Sequence, residues 1–412
     1  MKVVVFTLGC KVNECESDSI ITALKNKGYE VSDKLEYADI YIVNTCAVTK
    51  EAEKKSRQTA SRITAINKNA RIIYTGCASQ KNPEQFLSKT NATLITGVFG
   101  KNKLAEMIEK SGVCMSETTS EYEDFAPSDT LRTRTFIKVQ DGCDNFCSYC
   151  IIPYLRGRNR SRDPKSIVNE INILNPKEAV INGINLSAYN YHGQTLSDLI
   201  KRLSAVDCRI RLGSLEVRVI TDEFLENLKN LKNFAPHFHL SLQSGSDAVL
   251  KKMNRKYTAK EYAEKVDLIR RYFPDAGITT DIIVGFPTET EENFQETLEL
   301  VKRVKFSDIH PFIFSPREGT VAYTMPDLSA DIKKERLNRL LSEKENCKAE
   351  FFEKNRGRIL DFLYEETVNC FAEGYAGNYL RLYIKDFTDN GKIRKVIVKE
   401  RYKDGAIASV IE

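Results

Sequence analysis

The sequence predicts an α/β protein in three parts: an N-terminal doubly wound parallel α/β domain, a central partial (β/α)6 barrel and a C-terminal small all-β barrel. Three observations carry that expectation. Short apolar runs alternate with helical patterns up to about residue 330, which implies parallel strands covered by helices. A Ser/Thr/acidic stretch without apolar periodicity interrupts the alternation once. The tail then changes to five short strands separated by turns.

Taken in order, Val3 to Leu8 reads as a strand, followed by a helix to about Asn26. Ile40–Val43 is the next strand and Lys50–Ile66 a charged amphipathic helix. Ile72–Tyr74, a helix near Glu84 and Thr93–Thr96 complete a first domain over residues 1–116. Residues 117–130 form the linker. From 131 to 330 six strands alternate with helices: Phe136–Gln140, Ala179–Asn182, Arg209–Leu212, Phe238–Leu242, Ile278–Val284 and Ile309–Phe314. Six units match an incomplete barrel rather than the eight of a closed one. The Lys/Arg/Glu-rich run carrying Leu337, Leu340 and Leu341 reads as a connecting helix, 331–346. The last domain, 347–412, holds Ile359–Tyr364, Phe371–Glu373, Tyr379–Ile384, Val396–Val398 and Ala406–Ile411, separated by turns such as Asp389-Asn390-Gly391 and Lys403-Asp404-Gly405. Five strands in so short a span suggest the kind of barrel that binds oligonucleotides.

Composition narrows the function classes. The 412 residues are 42% apolar and 29% charged, with a net charge of +5, so nucleic-acid contact must come from local patches. The 11 cysteines are odd in number and scattered, which argues for a reducing, cytoplasmic setting with thiols free to take metal. The run Val3 to Cys10 is too short for a signal h-region, and nothing approaches the ~20 apolar residues of a membrane helix.

Cysteines carry the chemistry. Cys143, Cys147 and Cys150 form a Cys-x3-Cys-x2-Cys run with no local fourth ligand. Three thiolates leave one iron of a cubane iron–sulfur cluster open to an outside ligand, whereas a structural zinc site is closed by four. Zinc or three unrelated buried thiols are the alternatives. Cys10, Cys46 and Cys77 each follow a first-domain strand, in Thr-Leu-Gly-Cys, Val-Asn-Thr-Cys and Tyr-Thr-Gly-Cys. Strand ends of a doubly wound sheet emerge on one edge, so these thiols converge and could hold a second cluster. The plainer reading is small buried residues. Cys15, Cys114, Cys208, Cys347 and Cys370 read as structural.

The triad spacing, with Tyr149 before its last cysteine, resembles the signature of radical S-adenosylmethionine enzymes. With Cys10, Cys46, Cys77 and the terminal β domain, the chain resembles the radical methylthiotransferases along essentially its whole length. Gly9-Cys10-Lys11-Val12-Asn13 and Asn44-Thr45-Cys46-Ala47-Val48-Thr49 resemble the branch acting on threonylcarbamoyladenosine in tRNA. The branch acting on isopentenyladenosine more often has Gly-Cys-Gln-Met-Asn, and the protein-modifying branch Gly-Cys-Pro-Lys-Asn. The resemblance implies two 4Fe-4S clusters, S-adenosylmethionine, a radical SAM barrel, a C-terminal TRAM domain and methylthiolation at C2 of the adenine beside the anticodon. It also implies a tRNA anticodon stem-loop as partner and a flavodoxin- or ferredoxin-like electron donor, and it leaves the source of the inserted sulfur unnamed. Gly374-Tyr375-Ala376-Gly377-Asn378-Tyr379-Leu380-Arg381 is similar to the TRAM pattern, with Ala376 where Thr or Ser is expected.

Barrel strand ends nominate the cofactor contacts: Asn182, Gly183 and Asn185, then Glu216, Gln243 with Ser244, and Asp281, joined by Arg255. Such polar residues also cap helices and close turns. For RNA, Arg156, Arg158, Arg160 and Arg162 recur at every second position beside the cysteine loop, where guanidinium forks could meet phosphate. A solvated charged loop is the alternative. Tyr375, Tyr379 and Arg381 are the terminal-barrel candidates. Two rival functions stay open: the same chemistry on isopentenyladenosine, and a non-catalytic iron–sulfur RNA-binding redox sensor.

Overall fold

The computed structural model describes residues 1–128, 133–389 and 391–411. Linker residues 129–130, the first residues of the expected second domain at 131–132, and Asn390 of the Asp389 turn lie outside the described residues.

The first domain is a six-stranded parallel sheet. Its strands are β1 (Lys2–Thr7), β2 (Glu30–Ser32), β3 (Ile40–Thr45), β4 (Arg71–Gly76), β5 (Leu94–Ile95) and β6 (Gly112–Val113), in the order β2-β1-β3-β4-β5-β6. The period-2 alternation of a strand splits the apolar runs between two cores. Val4, Tyr41, Val43 and Tyr74 face one side, while Val3, Val5, Ile40 and Ile42 face the other. Both faces are therefore covered, by α1 (Lys11–Asn26), α2 (Lys50–Ile66), α3 (Cys77–Lys81) and shorter helices. Thr49 caps α2, its hydroxyl accepting from Ala52 N at 3.1 Å.

In the centre, β7 (Arg134–Asp141), β8 (Arg160–Ser161), β9 (Glu178–Gly183) and β12 (Arg209–Leu212) make one four-stranded sheet, with a hairpin of β10 (Asn190–Tyr191) and β11 (Gln194–Thr195) beside it. A second sheet holds β13 (Ser214–Leu215), β14 (His237–Leu240), β15 (Gly277–Val284) and β16 (Asp308–Ile313). The two meet at Gly213, where one extended run pairs with β9 on one side and with β14 on the other. The parallel strands enclose one large apolar core.

The helix Ala330–Asn355 leads to the tail and runs past the expected boundary at 346. Five strands then close into a barrel in the order β17-β18-β19-β21-β20: β17 (Ile359–Val368), β18 (Phe371–Ala376), β19 (Arg381–Lys385), β20 (Arg394–Tyr402) and β21 (Gly405–Val410). Among the described residues no helix is long and apolar enough to cross a membrane.

Candidate active site

The cysteine loop leaves β7 at Asp141 and enters the helix Ile152–Arg156. Gly142, at φ +69°, makes the turn, and a Cβ there would run into the Arg158 carbonyl. The loop is pinned from several directions. Ser148 N donates to Met253 O at 3.1 Å, and Asn254 Nδ2 donates to the carbonyls of Asn145 and Phe146 at 3.2 and 3.0 Å. Two sulfurs receive donors: Arg255 Nη1 lies 3.3 Å from Cys147 Sγ, and Asn185 Nδ2 lies 3.7 Å from Cys143 Sγ.

Cys10 precedes α1, Cys46 follows β3 and Cys77 opens α3. Their strands are neighbours in the sheet, so the three thiols meet on one edge. At Gly9 an added Cβ would stand 2.9 Å from Cys46 Cβ, which shows how tightly the Cys10 turn lies against Cys46. Burial, with thiol neighbours in each trio, pushes Cys46 and Cys150 to about 12. Such thiols ionise when a cation takes the place of the proton. Among the described residues no group of His, Cys, Asp or Glu is drawn together tightly enough for a single metal ion. Trios of thiols, with N–H donors on the sulfurs of Cys143, Cys147 and Cys77, fit the cysteine-only ligation of an iron–sulfur cluster.

One cavity of about 770 Å³ is lined by Cys143, Cys147 and Cys150 and, from the first trio, by Cys10, whereas Cys46 and Cys77 lie outside its lining. Seven further sequence candidates line it as well: Tyr149, Asn182, Gly183, Asn185, Glu216, Gln243 and Arg255. Arg255 pairs with Glu216 at 3.1 Å, and Asn145 Nδ2 donates to the same carboxylate at 2.6 Å. Asp281 reaches the cavity too, held by His239 Nε2 at 3.1 Å. Ser244 does not: wholly buried, its hydroxyl turns to Thr297 and Ser246 N.

The arginine comb is corrected by burial. Arg156 is 0% exposed, and Arg160 and Arg162 are 5% and 6% exposed, so none of the three is presented to solvent as a phosphate-binding comb requires. Arg156 donates to Glu16 at 2.8 Å, Asp141 at 3.1 Å and Asn13 at 2.7 Å, and its Nε lies 3.4 Å from Cys77 Sγ. Glu16 also takes Lys101 at 2.5 Å and Lys138 at 2.7 Å. Burial opposes its charge, yet Arg156, Lys101 and Lys138 hold its carboxyl well below the usual range. Arg162 is tied to Glu170 and Asp124. Arg158 alone remains exposed, over the Phe146 ring and 3.2 Å from Asp144.

The terminal-barrel candidates are likewise engaged. Tyr379 stacks on His237 (centroids 4.3 Å apart) and on Tyr375 (4.6 Å), and it forms part of the cavity wall. Arg381 is paired with Glu373 and Asp404. A group that sequence reasoning missed also lines the cavity: His237, His239 and His310, three of only four histidines in the chain. The i, i+2 spacing of His237 and His239 on β14 was the available signal.

Comparison with known proteins agrees with this architecture. The Radical SAM superfamily model matches residues 137–301, and a model described as uncharacterized protein family UPF0004 matches residues 2–97. The threonylcarbamoyladenosine tRNA methylthiotransferase MtaB of Bacillus subtilis (strain 168) is 36% identical over 98% of this chain and 96% of its own. The tRNA-2-methylthio-N(6)-dimethylallyladenosine synthase of Thermoanaerobacter sp. (strain X514) is 36% identical over 87% of this chain and 81% of its own. In fold, the radical S-adenosylmethionine methyltransferase TsrM of Kitasatospora setae superposes with a TM-score of 0.56 at 16% identity, covering 76% of this chain and 74% of that one. Similarity at this level runs through both cysteine-bearing domains, and the chain belongs to the radical SAM family of tRNA methylthiotransferases.

Proposed function

We propose that the protein methylthiolates C2 of N6-threonylcarbamoyladenosine beside the tRNA anticodon, with one 4Fe-4S cluster on Cys10, Cys46 and Cys77 and another on Cys143, Cys147 and Cys150. The observation that carries this reading is the cavity of about 770 Å³ lined by Cys10 of one trio and by Cys143, Cys147 and Cys150 of the other. The near full-length match to a relative named for that substrate supports it. When bound, the clusters and S-adenosylmethionine supply the one-electron chemistry that an inert aromatic C–H bond demands. The chain's own residues bind and orient. Arg255, with Glu216, offers charged partners for an amino acid's carboxylate and amino groups beside the cysteine loop, and Asn182, Gly183 and Gln243 form the adjoining wall. Asn182 Nδ2, buried and without a partner among the described residues, is a donor awaiting a ligand acceptor.

In this reading residues 1–116 carry the auxiliary cluster, 131–330 form the (β/α)6 radical SAM core, and the closed tail barrel is a TRAM domain that meets the anticodon stem-loop. The enzyme works in the cytoplasm, with a flavodoxin- or ferredoxin-like donor. An isopentenyladenosine substrate is the second reading, favoured by the dimethylallyl-type relative.

Anaerobic iron loading and tRNA nucleoside mass spectrometry test the assignment. Cys147→Ala should abolish S-adenosylmethionine cleavage, whereas Cys46→Ala should keep some cleavage and lose sulfur insertion. Full methylthiolation by Cys46→Ala would refute the auxiliary site.

A further inference from the structure

Six charged side chains line the cavity between the trios: Lys11, Glu14, Arg134, Glu216, Arg255 and Asp281. Five are already engaged. Arg134 pairs with Glu365, Arg255 with Glu216, and Asp281 with His239, while Glu14 also has a partner. Lys11 alone makes no hydrogen bond or ion pair among the described residues. Its charge is nevertheless felt at Asp281, at His237 and at Tyr379. Lys11 thus shares the cavity with the wall where the terminal barrel's Tyr379 stacks on His237.

That wall holds a second unspent group. Thr279 Oγ1 lies 2.9 Å from His237 Nε2 and 2.9 Å from His239 Nδ1, and His239 Nε2 lies 3.1 Å from Asp281. A hydroxyl has one proton to donate. With His239 giving its Nε2 proton to Asp281, its Nδ1 accepts from Thr279, and Thr279 in turn accepts from His237 Nε2–H. His237 Nδ1 is then a bare acceptor, in a side chain 4% exposed and with no partner of its own. Burial, with Arg211 close by, keeps this ring neutral.

We propose that Lys11 and His237 bind the threonylcarbamoyl substituent of the adenine, the Lys11 ammonium pairing with its carboxylate and His237 Nδ1 accepting from its hydroxyl. This inference rests on the threonylcarbamoyladenosine reading above. The substituent carries one anionic group and one hydroxyl, complementary to one free cation and one free acceptor. An isopentenyl group offers neither, and its hydrocarbon would leave the buried acceptor unpaired. Lys11 is thus a specificity residue placed one position after a cluster cysteine.

The test uses the full, iron-loaded chain without S-adenosylmethionine or reductant. Binding is measured to anticodon stem-loop RNAs carrying threonylcarbamoyladenosine or its neutral methyl ester. The ester should bind about tenfold more weakly, the size of one charge-assisted hydrogen bond. Lys11→Gln should erase that difference by weakening only the acid, and Lys11→Arg should retain it. Equal affinity of the wild-type chain for acid and ester overturns the inference without any variant. A Lys11→Gln chain that still prefers the acid tenfold overturns it too. Methylthiolation of isopentenyladenosine RNA in place of threonylcarbamoyladenosine RNA would sink the proposed function instead, a separate outcome.

Discussion

The guanidinium of Arg156, wholly buried, donates to Glu16 and Asn13 of the first domain and to Asp141 of the second, and it touches the sulfur of Cys77. Truncating it removes the largest countercharge from Glu16. Breaking a buried pair from one side costs about 3–5 kcal/mol, because the remaining charge stays buried. Arg156→Met should therefore lower the urea midpoint of the full chain by a corresponding amount, and Arg156→Lys should recover part of it; an unchanged midpoint would show the network to be dispensable. The alternating arginines could not be sorted in advance. Their spacing describes an exposed comb equally well, and Glu16, the carboxylate partner of Arg156, lies 140 residues away in sequence.

At the scale of elements, the long apolar runs were legible because a strand covered on both faces needs them. The short strands β2 and β6, of three and two residues, carry too little pattern to be seen. The break at Gly213 was equally silent: a Cβ there would stand 2.9 Å from Asn182 Oδ1, so glycine lets one run serve two sheets. Gly277, the first residue of β15, has a comparable task, since a Cβ would run into the Asn378 carbonyl of the terminal barrel. Gly277→Ala should push that barrel off the central domain and destabilise the chain by about 1–3 kcal/mol. Thermal unfolding measures the loss, and limited proteolysis should release the terminal barrel sooner. Wild-type protease resistance would show that the contact relaxes freely.

Across the whole molecule, two seams hold three domains. One is the Glu16–Arg156 network, and the other runs through Glu178, which binds Arg211 at 2.7 Å while Arg211 donates to the carbonyls of Gly377 at 3.0 Å and Ala376 at 3.2 Å. Burial opposes ionisation of Glu178, but Arg211 and Arg209 bring it down to about 2. A carboxyl depressed in the folded state contributes stability above its unfolded value of about 4.3 and loses it as pH falls through the folded value. The contribution is of the order of 3 kcal/mol. Melting temperature should thus decline between about pH 5 and pH 2, and Glu178→Gln should flatten part of that slope; an identical slope in the variant would remove Glu178 from the account.

Local information was enough for the Cys143, Cys147 and Cys150 run and for the alternation of strand and helix, because cysteine spacing and side-chain period are written within a few consecutive residues, whereas Cys10, Cys46 and Cys77 are joined only through the strand ends that carry them. Which charges stay free was settled only in three dimensions. Arg156 meets Glu16, Lys11 lines one cavity with Tyr379, and His237 and His239 share the hydroxyl of Thr279, juxtapositions that join residues 40 to more than 300 positions apart. Burial and pairing depend on the neighbours the fold supplies, so no reading of adjacent residues could separate the arginines that hold domains together from a lysine left to greet a substrate.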